Sequence, residues 1–297
     1  MLPLLPGVDP SLGRLDYTSL SQQSLMELLV SGFDDIGVIC GSHEALDEVE
    51  KWHGVSFDEG QNAQDIGKEK LVTSISWSEM QLEGSLLVQW APPSLVMLDL
   101  HHNRLRGSID WEKLPEKLQY IFLYDNSFTG PINLTHLPAS LKELDAGTNK
   151  LSGSVDLSKL PVGLDILFIS RNGLTGSIDC TSLPDRLKEL SINDNTLSGF
   201  INLNKLPVRL GALTLESNSF VGSVNSTSLP PRLHILNLTG NQLSQSLDLS
   251  QLPPTVELLL LWHNAFTGSV DLTHLPAFLR ELDLSENKLS GGRWWSG

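Results

Sequence analysis

The side chains best suited to metal binding or reaction chemistry lie close together in the sequence, between positions 99 and 125. Two adjacent histidines, His101 and His102, stand between Asp99 and Asp125. Imidazole nitrogens and carboxylates bind metals, so one interpretation of this stretch is a metal site. Adjacent side chains near a strand point to opposite faces, however, and no ligand spacing recurs along the chain. The sequence therefore predicts no metal site and no other cofactor.

Three aromatic side chains, Tyr120, Phe122 and Tyr124, alternate in the same stretch. Alternate residues of a strand share a face, so these three would form one aromatic surface. Exposed aromatic residues surrounded by carboxylates are typical of protein-binding hot spots. The alternative is an ordinary surface, because apolar atoms make up much of any protein surface. The concentration of three aromatics in one strand favours binding.

Catalytic motifs are absent from the sequence. It contains no nucleophile elbow, Walker loop, dinucleotide fingerprint, H-E-x-x-H or C-x-x-C. Spaced carboxylates such as Glu143 and Asp145 are interpreted as solvated surface pairs. We therefore expect no enzymatic activity.

An asparagine recurs every 23 residues from Asn103 to Asn287, without insertion or deletion. Around it the pattern L-x-x-L-x-L-x-x-N-x-L repeats, and its first part alternates like a strand. One such strand cannot bury its apolar face alone, but parallel copies stacked about 4.8 Å apart can. The period therefore predicts a stack of similar coils, whose ten strands form a sheet roughly 45 Å long.

Other positions that recur in every repeat, which we call columns, predict how each coil turns. The asparagine amide is expected to satisfy backbone groups of adjacent coils. A glycine four residues later indicates a positive φ or a close backbone approach, and Gln245 interrupts that column. Asp or Asn three residues further on is expected to cap a turn, with a calcium ladder as the alternative. Leu-Pro pairs close each coil.

Residues 72–297 resemble the leucine-rich-repeat superfamily. The L-[ST]-G-S-[IV] segments are similar to the plant-type extracellular class, whereas the Leu-Pro pairs are closer to bacterial effector-type repeats. Large protist sets of repeat proteins share such mixed features. The resemblance implies an α/β solenoid, a right-handed leucine-rich-repeat superhelix with a concave parallel sheet. It also implies short second strands or turns on the convex side and an N-terminal helical cap.

The chain is expected to divide into a leader and N-terminal helical cap, residues 1–71, and a solenoid, residues 72–297. The solenoid would hold one degenerate repeat, in which Met80 replaces the asparagine, and nine repeats of the 23-residue period, the last incomplete. Helices are predicted from Ser19 to Ser31 and from Ser42 to about Trp52. Residues 52–57 resemble the cap motif W-x-G-V-x-C, but Phe57 stands where the cysteine would be, so the cap disulfide is absent.

The composition indicates which partners and which cellular compartment to expect. The net charge of −15 argues against nucleic acid as a partner, because phosphate binding needs a basic face. Cys180 occupies a leucine column and is expected to be buried; a disulfide to Cys40 is the alternative. The sequence contains no stretch of about 20 apolar residues, so we expect no membrane span.

The start of the sequence lacks the features of a signal peptide. Together with the lack of paired cysteines, this favours the cytoplasm, and an extracellular surface is the alternative if the chain is a fragment. Three N-x-[ST] sequons occur, at Asn133, Asn225 and Asn237. The end, residues 292–297, is expected either to fold two tryptophans over the last coil or to be a truncated product.

Side chains that flank the inward leucines should face the concave side, where we expect a protein or peptide to bind. The acidic surroundings favour a basic partner. The alternative is a ligand-sensing ectodomain or surface-antigen fragment of a longer membrane-anchored protein. The candidate partner-binding residues are Asp99, His101, Tyr120, Phe122, Tyr124, Asp145, Phe168, Arg171, Leu260, Trp262 and His263.

Overall fold

The computed structural model of the chain describes residues 17–41, 46–58 and 70–290. Most of the expected leader, most of the polar loop predicted before the first repeat, and the C-terminal residues 291–297 lie outside the described residues.

Each coil contributes one short strand to a concave sheet of eleven strands. From the second strand onward, neighbouring strands are parallel, and each residue pairs with the residue one repeat later, as Leu144 pairs with Leu167. The first strand pairs antiparallel with the second and so extends the sheet into the cap. The strands are β1 Val55–Phe57, β2 Val72–Ser76, β4 Met97–Asp99, β6 Tyr120–Phe122, β8 Glu143–Asp145, β10 Ile166–Phe168, β12 Glu189–Ser191, β14 Ala212–Thr214, β16 Ile235–Asn237, β18 Leu258–Leu260 and β20 Glu281–Asp283.

A second sheet of ten parallel strands follows the asparagine turns. Its presence confirms the expected short second strands and, with the concave sheet, the predicted solenoid. Its strands are β3 Glu83–Ser85, β5 Arg104–Ser108, β7 Ser127–Pro131, β9 Lys150–Ser154, β11 Gly173–Gly176, β13 Thr196–Phe200, β15 Ser219–Gly222, β17 Gln242–Ser246, β19 Ala265–Gly268 and β21 Lys288–Leu289.

The asparagine column joins the coils, as predicted. The Asn126 side chain donates from Nδ2 to the Leu100 carbonyl of the preceding coil at 2.9 Å. Its Oδ1 accepts the Leu105 backbone N–H of that coil, also at 2.9 Å. The equivalent bonds recur for every asparagine of the column, from Asn103 to Asn287. Because each side chain serves groups in two coils, the turns between the two sheets stay hydrogen-bonded although they are covered.

The predictions for the glycine column and for the Asp/Asn column are also confirmed. Gly107 has a φ of +84°, and Gln245 takes a φ of +76° at the same place in its coil, which a side chain tolerates poorly. The Asp/Asn column caps the following turn: Asp179 Oδ1 accepts the Thr181 N–H at 2.8 Å. These carboxylates therefore have partners in their own turns, which accounts for the column without calcium.

The N-terminal cap is only partly as predicted. Helix α1, Gln22–Val30, begins after Ser21, whose hydroxyl accepts the Ser24 N–H. A second helix, α2, is a single turn at Gly37–Cys40. The predicted helix from Ser42 to Trp52 is wrong where it is described: residues 46–48 are not helical, and Val49–Lys51 is one 3-10 turn. The reason is a tertiary bond, because the Val49 N–H donates to the Gln23 side chain at 2.7 Å instead of to a helical carbonyl.

One apolar core runs through the cap and the coils. Trp77 is fully buried at their junction, with the Phe33 ring edge-on at 6.1 Å and the Trp52 ring at 6.5 Å between centroids. Cys180 is fully buried, as predicted, and burial raises the pKa of its thiol to about 12. Cys180 and Cys40 do not form a disulfide with each other. None of the helices in the described ranges has the length and apolar character needed to cross a bilayer.

Candidate protein-binding face

The candidate residues of the N-terminal half lie in rows across the concave sheet. Asp99, Phe122, Asp145 and Phe168 are register partners on successive strands, so acidic and aromatic side chains alternate along one row. All four are half-buried, whereas the apolar side chains that alternate with them along the strands are fully buried. The outward direction of this row agrees with the prediction from strand alternation.

Tyr124 stands at the centre of an aromatic cluster at the C-terminal end of these strands. The His101 ring stacks on it with centroids 4.5 Å apart and an interplanar angle of 11°. The His102 ring meets it edge-on at 5.0 Å. The expectation that the two histidines point apart is therefore wrong: their own rings lie 5.1 Å apart. His102 has a φ of +53°, so it belongs to a left-handed turn and not to the strand.

Each imidazole of this cluster holds its own carboxylate. His101 Nδ1 lies 2.5 Å from Asp99 Oδ1, and His102 Nδ1 lies 2.5 Å from Asp125 Oδ2. We call these five residues, Asp99, His101, His102, Tyr124 and Asp125, the Tyr124 cluster. Within the described ranges, no group of three or more potential ligands is placed to hold a metal ion. The cluster instead presents an aromatic ring fixed on two sides and bordered by carboxylates.

Charge is crowded around the cluster. Burial raises the pKa of Asp145, although a hydrogen bond from the Gly147 N–H at 2.9 Å and the nearby His101 oppose the shift. Burial and then repulsion by Asp145 raise the pKa of Glu143 on the same strand. Burial, and the carboxylates around it, also raise the pKa of the Tyr124 phenol. These shifts show that negative charge on this surface is held at a cost in free energy.

The other candidates of this half do not join the Tyr124 cluster. Tyr120 lies two rows away from Tyr124, with Lys142 Nζ 5.8 Å from the Tyr120 ring centroid. Phe122 and Phe168 are the last residues of β6 and β10 and are half-buried. Arg171 is exposed and turns toward the next coil, where its Nε lies 3.5 Å from Asp194 Oδ2.

Trp262 and His263 form a second cluster near the C-terminus, and Leu260 precedes them as the half-buried last residue of β18. The Trp262 side chain is 39% exposed, and its ring lies 5.5 Å from that of His263. His263 Nδ1 in turn lies 2.7 Å from Glu286 Oε2. Six coils separate Trp262 from Tyr124, which corresponds to roughly 29 Å along the sheet. The candidate residues therefore form two patches on one face.

Sequence reasoning missed Glu216, which lies between the two patches. Its Oε2 is covered and has no hydrogen-bond partner in the described part of the chain, and burial raises its pKa. One signal was available: Glu216 is the only carboxylate in the row that contains His101, Tyr124 and Trp262.

The Leucine Rich Repeat family matches residues 278–296 of the sequence. This match agrees with the 23-residue period, the asparagine column and the two parallel sheets already described. The chain is a leucine-rich-repeat protein. No curated protein sequence matches this leucine-rich-repeat chain.

Two solved structures are similar to this leucine-rich-repeat protein. One is the ectodomain of the plant membrane receptor kinase GASSHO1/SCHENGEN3 from Arabidopsis thaliana, solved in complex with CASPARIAN STRIP INTEGRITY FACTOR 2. It is 29% identical with a TM-score of 0.54, over 70% of this chain and 29% of that ectodomain, so this chain spans less than a third of it. The other is a plant ice-binding protein, 22% identical with a TM-score of 0.69, over 91% of this chain and 87% of that one. The second similarity concerns the fold alone.

Proposed function

We propose that this leucine-rich-repeat protein is a non-enzymatic scaffold that binds a protein or peptide partner on its concave sheet. The Tyr124 cluster is the observation that carries the proposal. Its central ring is already held by two imidazoles, and each imidazole is held by a carboxylate. Little side-chain entropy would therefore be lost on binding, which favours affinity. Aromatic residues fixed in this way are typical of binding hot spots.

The electrostatics favour a basic partner. Burial raises the pKa of both Asp145 and Glu143, and repulsion by Asp145 raises that of Glu143 further. A lysine or arginine side chain placed between them would compensate both charges and lower the free energy of the ionised carboxylates. The protein's net charge of −15 would also speed the approach of such a partner at low salt.

The spacing of the two patches suggests the length of the partner segment. Tyr124 and Trp262 lie roughly 29 Å apart, which an extended peptide of about nine residues would span. Glu216 lies between them, where its covered carboxylate oxygen lacks a partner in the described chain. A second positive group of the peptide would satisfy it.

The similar receptor ectodomain was solved in complex with CASPARIAN STRIP INTEGRITY FACTOR 2, which supports an interaction role for this chain as part of the proposal. That likeness also favours the alternative that this chain belongs to the ectodomain of a longer membrane-anchored protein or to a surface antigen. Asn225 is exposed, whereas Asn133 and Asn237 are half-buried, so glycan attachment at Asn225 is the most accessible marker. Glycan mass on the protein from its native cells would favour this alternative.

Affinity capture with quantitative mass spectrometry tests the proposal. The bait would be the wild-type chain, the Tyr124→Ala/Trp262→Ala variant, and a matched Val162→Ala/Val208→Ala variant. The matched pair removes two exposed apolar side chains away from the concave rows. We expect wild type and the matched variant to recover the same partner, and the Tyr124/Trp262 variant to lose it. Equal recovery by all three baits would contradict binding on the concave sheet.

A further inference from the structure

A basic hollow of about 270 Å³ lies at the edge where the chain enters β12, β14 and β16. The hollow is separate from the outward rows of the Tyr124 cluster, and the inference drawn from it does not depend on the concave partner. Its lining residues are Lys188, Glu189, Arg209, Gly211, Arg232 and His234.

The repeat itself stacks the cations of this hollow. Arg209 and Arg232 occupy the same column of successive coils, so their backbones are about 4.8 Å apart. Backbone bonds keep this edge in register: the Gly211 N–H donates to the Lys188 carbonyl at 2.7 Å, and the His234 N–H donates to the Gly211 carbonyl at 2.8 Å. The backbones that carry Arg209 and Arg232 are therefore held side by side at this edge.

Among the described residues, the two arginines have no carboxylate as an ion-pair partner. The preceding arginine of the column, Arg186, lies 3.4 Å from Asp165, and Lys188 lies 3.2 Å from the same carboxylate. Within the described ranges, Arg209 and Arg232 form no ion pair with any carboxylate. Glu189 is the acidic group of the lining and offsets part of the charge. Neighbouring like charges repel each other, so an anion between the two guanidinium groups would stabilise them.

Gly211 leaves room for the His234 ring at this edge of the hollow. Every other coil from residue 73 to residue 280 carries a side chain at this position. A Cβ at Gly211 would lie 2.6 Å from His234 Cε1 and 2.9 Å from its Nδ1. The His234 ring thus packs against the glycine, and His234 also lines the hollow.

We propose that this hollow binds a phosphoryl group, with Arg209 and Arg232 as its main ligands and His234 and Lys188 as further donors. Two guanidinium forks present parallel N–H groups that suit the oxygens of a phosphoryl group. Its charge of about −1.5 to −2 matches the two uncompensated arginines better than a single carboxylate does.

Titration calorimetry on the full chain tests this site at fixed ionic strength and without phosphate buffer. The probes are phenyl phosphate, inorganic phosphate and, as a matched carboxylate, benzoate. The variants are Arg209→Gln/Arg232→Gln and, as a control that removes the same charge elsewhere, Lys113→Gln/Lys117→Gln. Lys117 occupies the arginine column in an earlier coil, and all four side chains are exposed, so the fold should be retained.

We expect saturable binding of phenyl phosphate to the wild-type chain, weakened about tenfold or more by the double arginine substitution. The lysine control should bind within about twofold of wild type, and Glu189→Gln should bind more tightly because a repelling charge is removed. Binding of inorganic phosphate as well would assign the site to the free ion, and its absence would assign it to a phosphorylated side chain. The absence of phosphoryl binding, equal loss in the lysine control, or benzoate bound as tightly as phenyl phosphate would overturn the proposal.

Discussion

At the scale of single residues, the asparagine column is what connects one coil to the next. The Asn172 side chain donates to the Ala146 carbonyl at 3.1 Å and accepts the Leu151 N–H at 2.9 Å. We predict that Asn172→Leu lowers the free energy of unfolding by about 1–3 kcal/mol, because these covered backbone groups would lose their partner. Urea unfolding measures this change. The substitution Asn204→Leu, at an exposed position, is the control and should change the free energy of unfolding by less than about 0.5 kcal/mol. An unchanged urea midpoint for Asn172→Leu would contradict the role of the asparagine column.

Asp145 gives a prediction about pH. Burial raises its pKa in the folded state, so the folded state holds the proton more tightly than the unfolded state. Its ionisation on raising the pH therefore costs stability. We expect Asp145→Asn, which keeps an oxygen for the Gly147 N–H, to melt at a higher temperature than wild type at pH 7. The difference should shrink as the pH falls through the raised folded pKa and vanish below the ordinary pKa of an unfolded aspartate. Melting curves that show the same difference at pH 3 and pH 7 would contradict this.

At the scale of elements, one turn of the solenoid carries a defect. Ser226 occupies a column that holds leucine in most coils, is only 2% exposed, and its hydroxyl has no hydrogen-bond partner in the described chain. We predict that Ser226→Ala raises the free energy of unfolding by about 1 kcal/mol, because an unsatisfied polar group is removed without adding volume. Ser182→Ala, at an exposed position of an equivalent turn, is the control for helix and turn propensity. Chemical denaturation that shows a loss of stability for Ser226→Ala would count against this interpretation.

The elements that sequence predicted well are those that every coil repeats. Leucines, asparagines, glycines and turn caps recur because each coil makes the same contacts with the next one. The region around Val49 has no repeated counterpart, so only its local pattern was available, and that pattern predicted a helix. The structure differs because the Val49 N–H donates to the Gln23 side chain of α1.

The geometry of the site was harder to predict for a related reason. The residue before each asparagine adopts a positive φ whatever its type, as His102, Thr148 and Arg171 show. The cause lies in the stacking: His102 and Asn103 both donate their backbone N–H groups to the next coil. Because residue types vary at this position, the sequence does not reveal the turn that brings His102 onto Tyr124. The sequence therefore predicted which residues share the face but not how the Tyr124 cluster is assembled.

At the scale of the whole molecule, the two parallel sheets present surfaces of different character. The concave sheet carries aromatic and acidic residues in rows, and the basic hollow lies at its edge. The second sheet exposes mainly serine, threonine and glycine, with Phe200 in β13 as a prominent exception at 64% exposed. Phe122 and Phe200 are thus the same residue type on the two different sheets, which makes them a matched pair for locating a partner.

Site-specific photo-crosslinking with benzoylphenylalanine in place of Phe122 or Phe200 tests most directly whether the partner binds the concave sheet. The partner recovered by affinity capture would be incubated with each labelled chain, and crosslinked peptides would be identified by mass spectrometry. Binding on the concave sheet predicts crosslinks from position 122 and none above background from position 200. Crosslinks from position 200 with none from position 122 would contradict it.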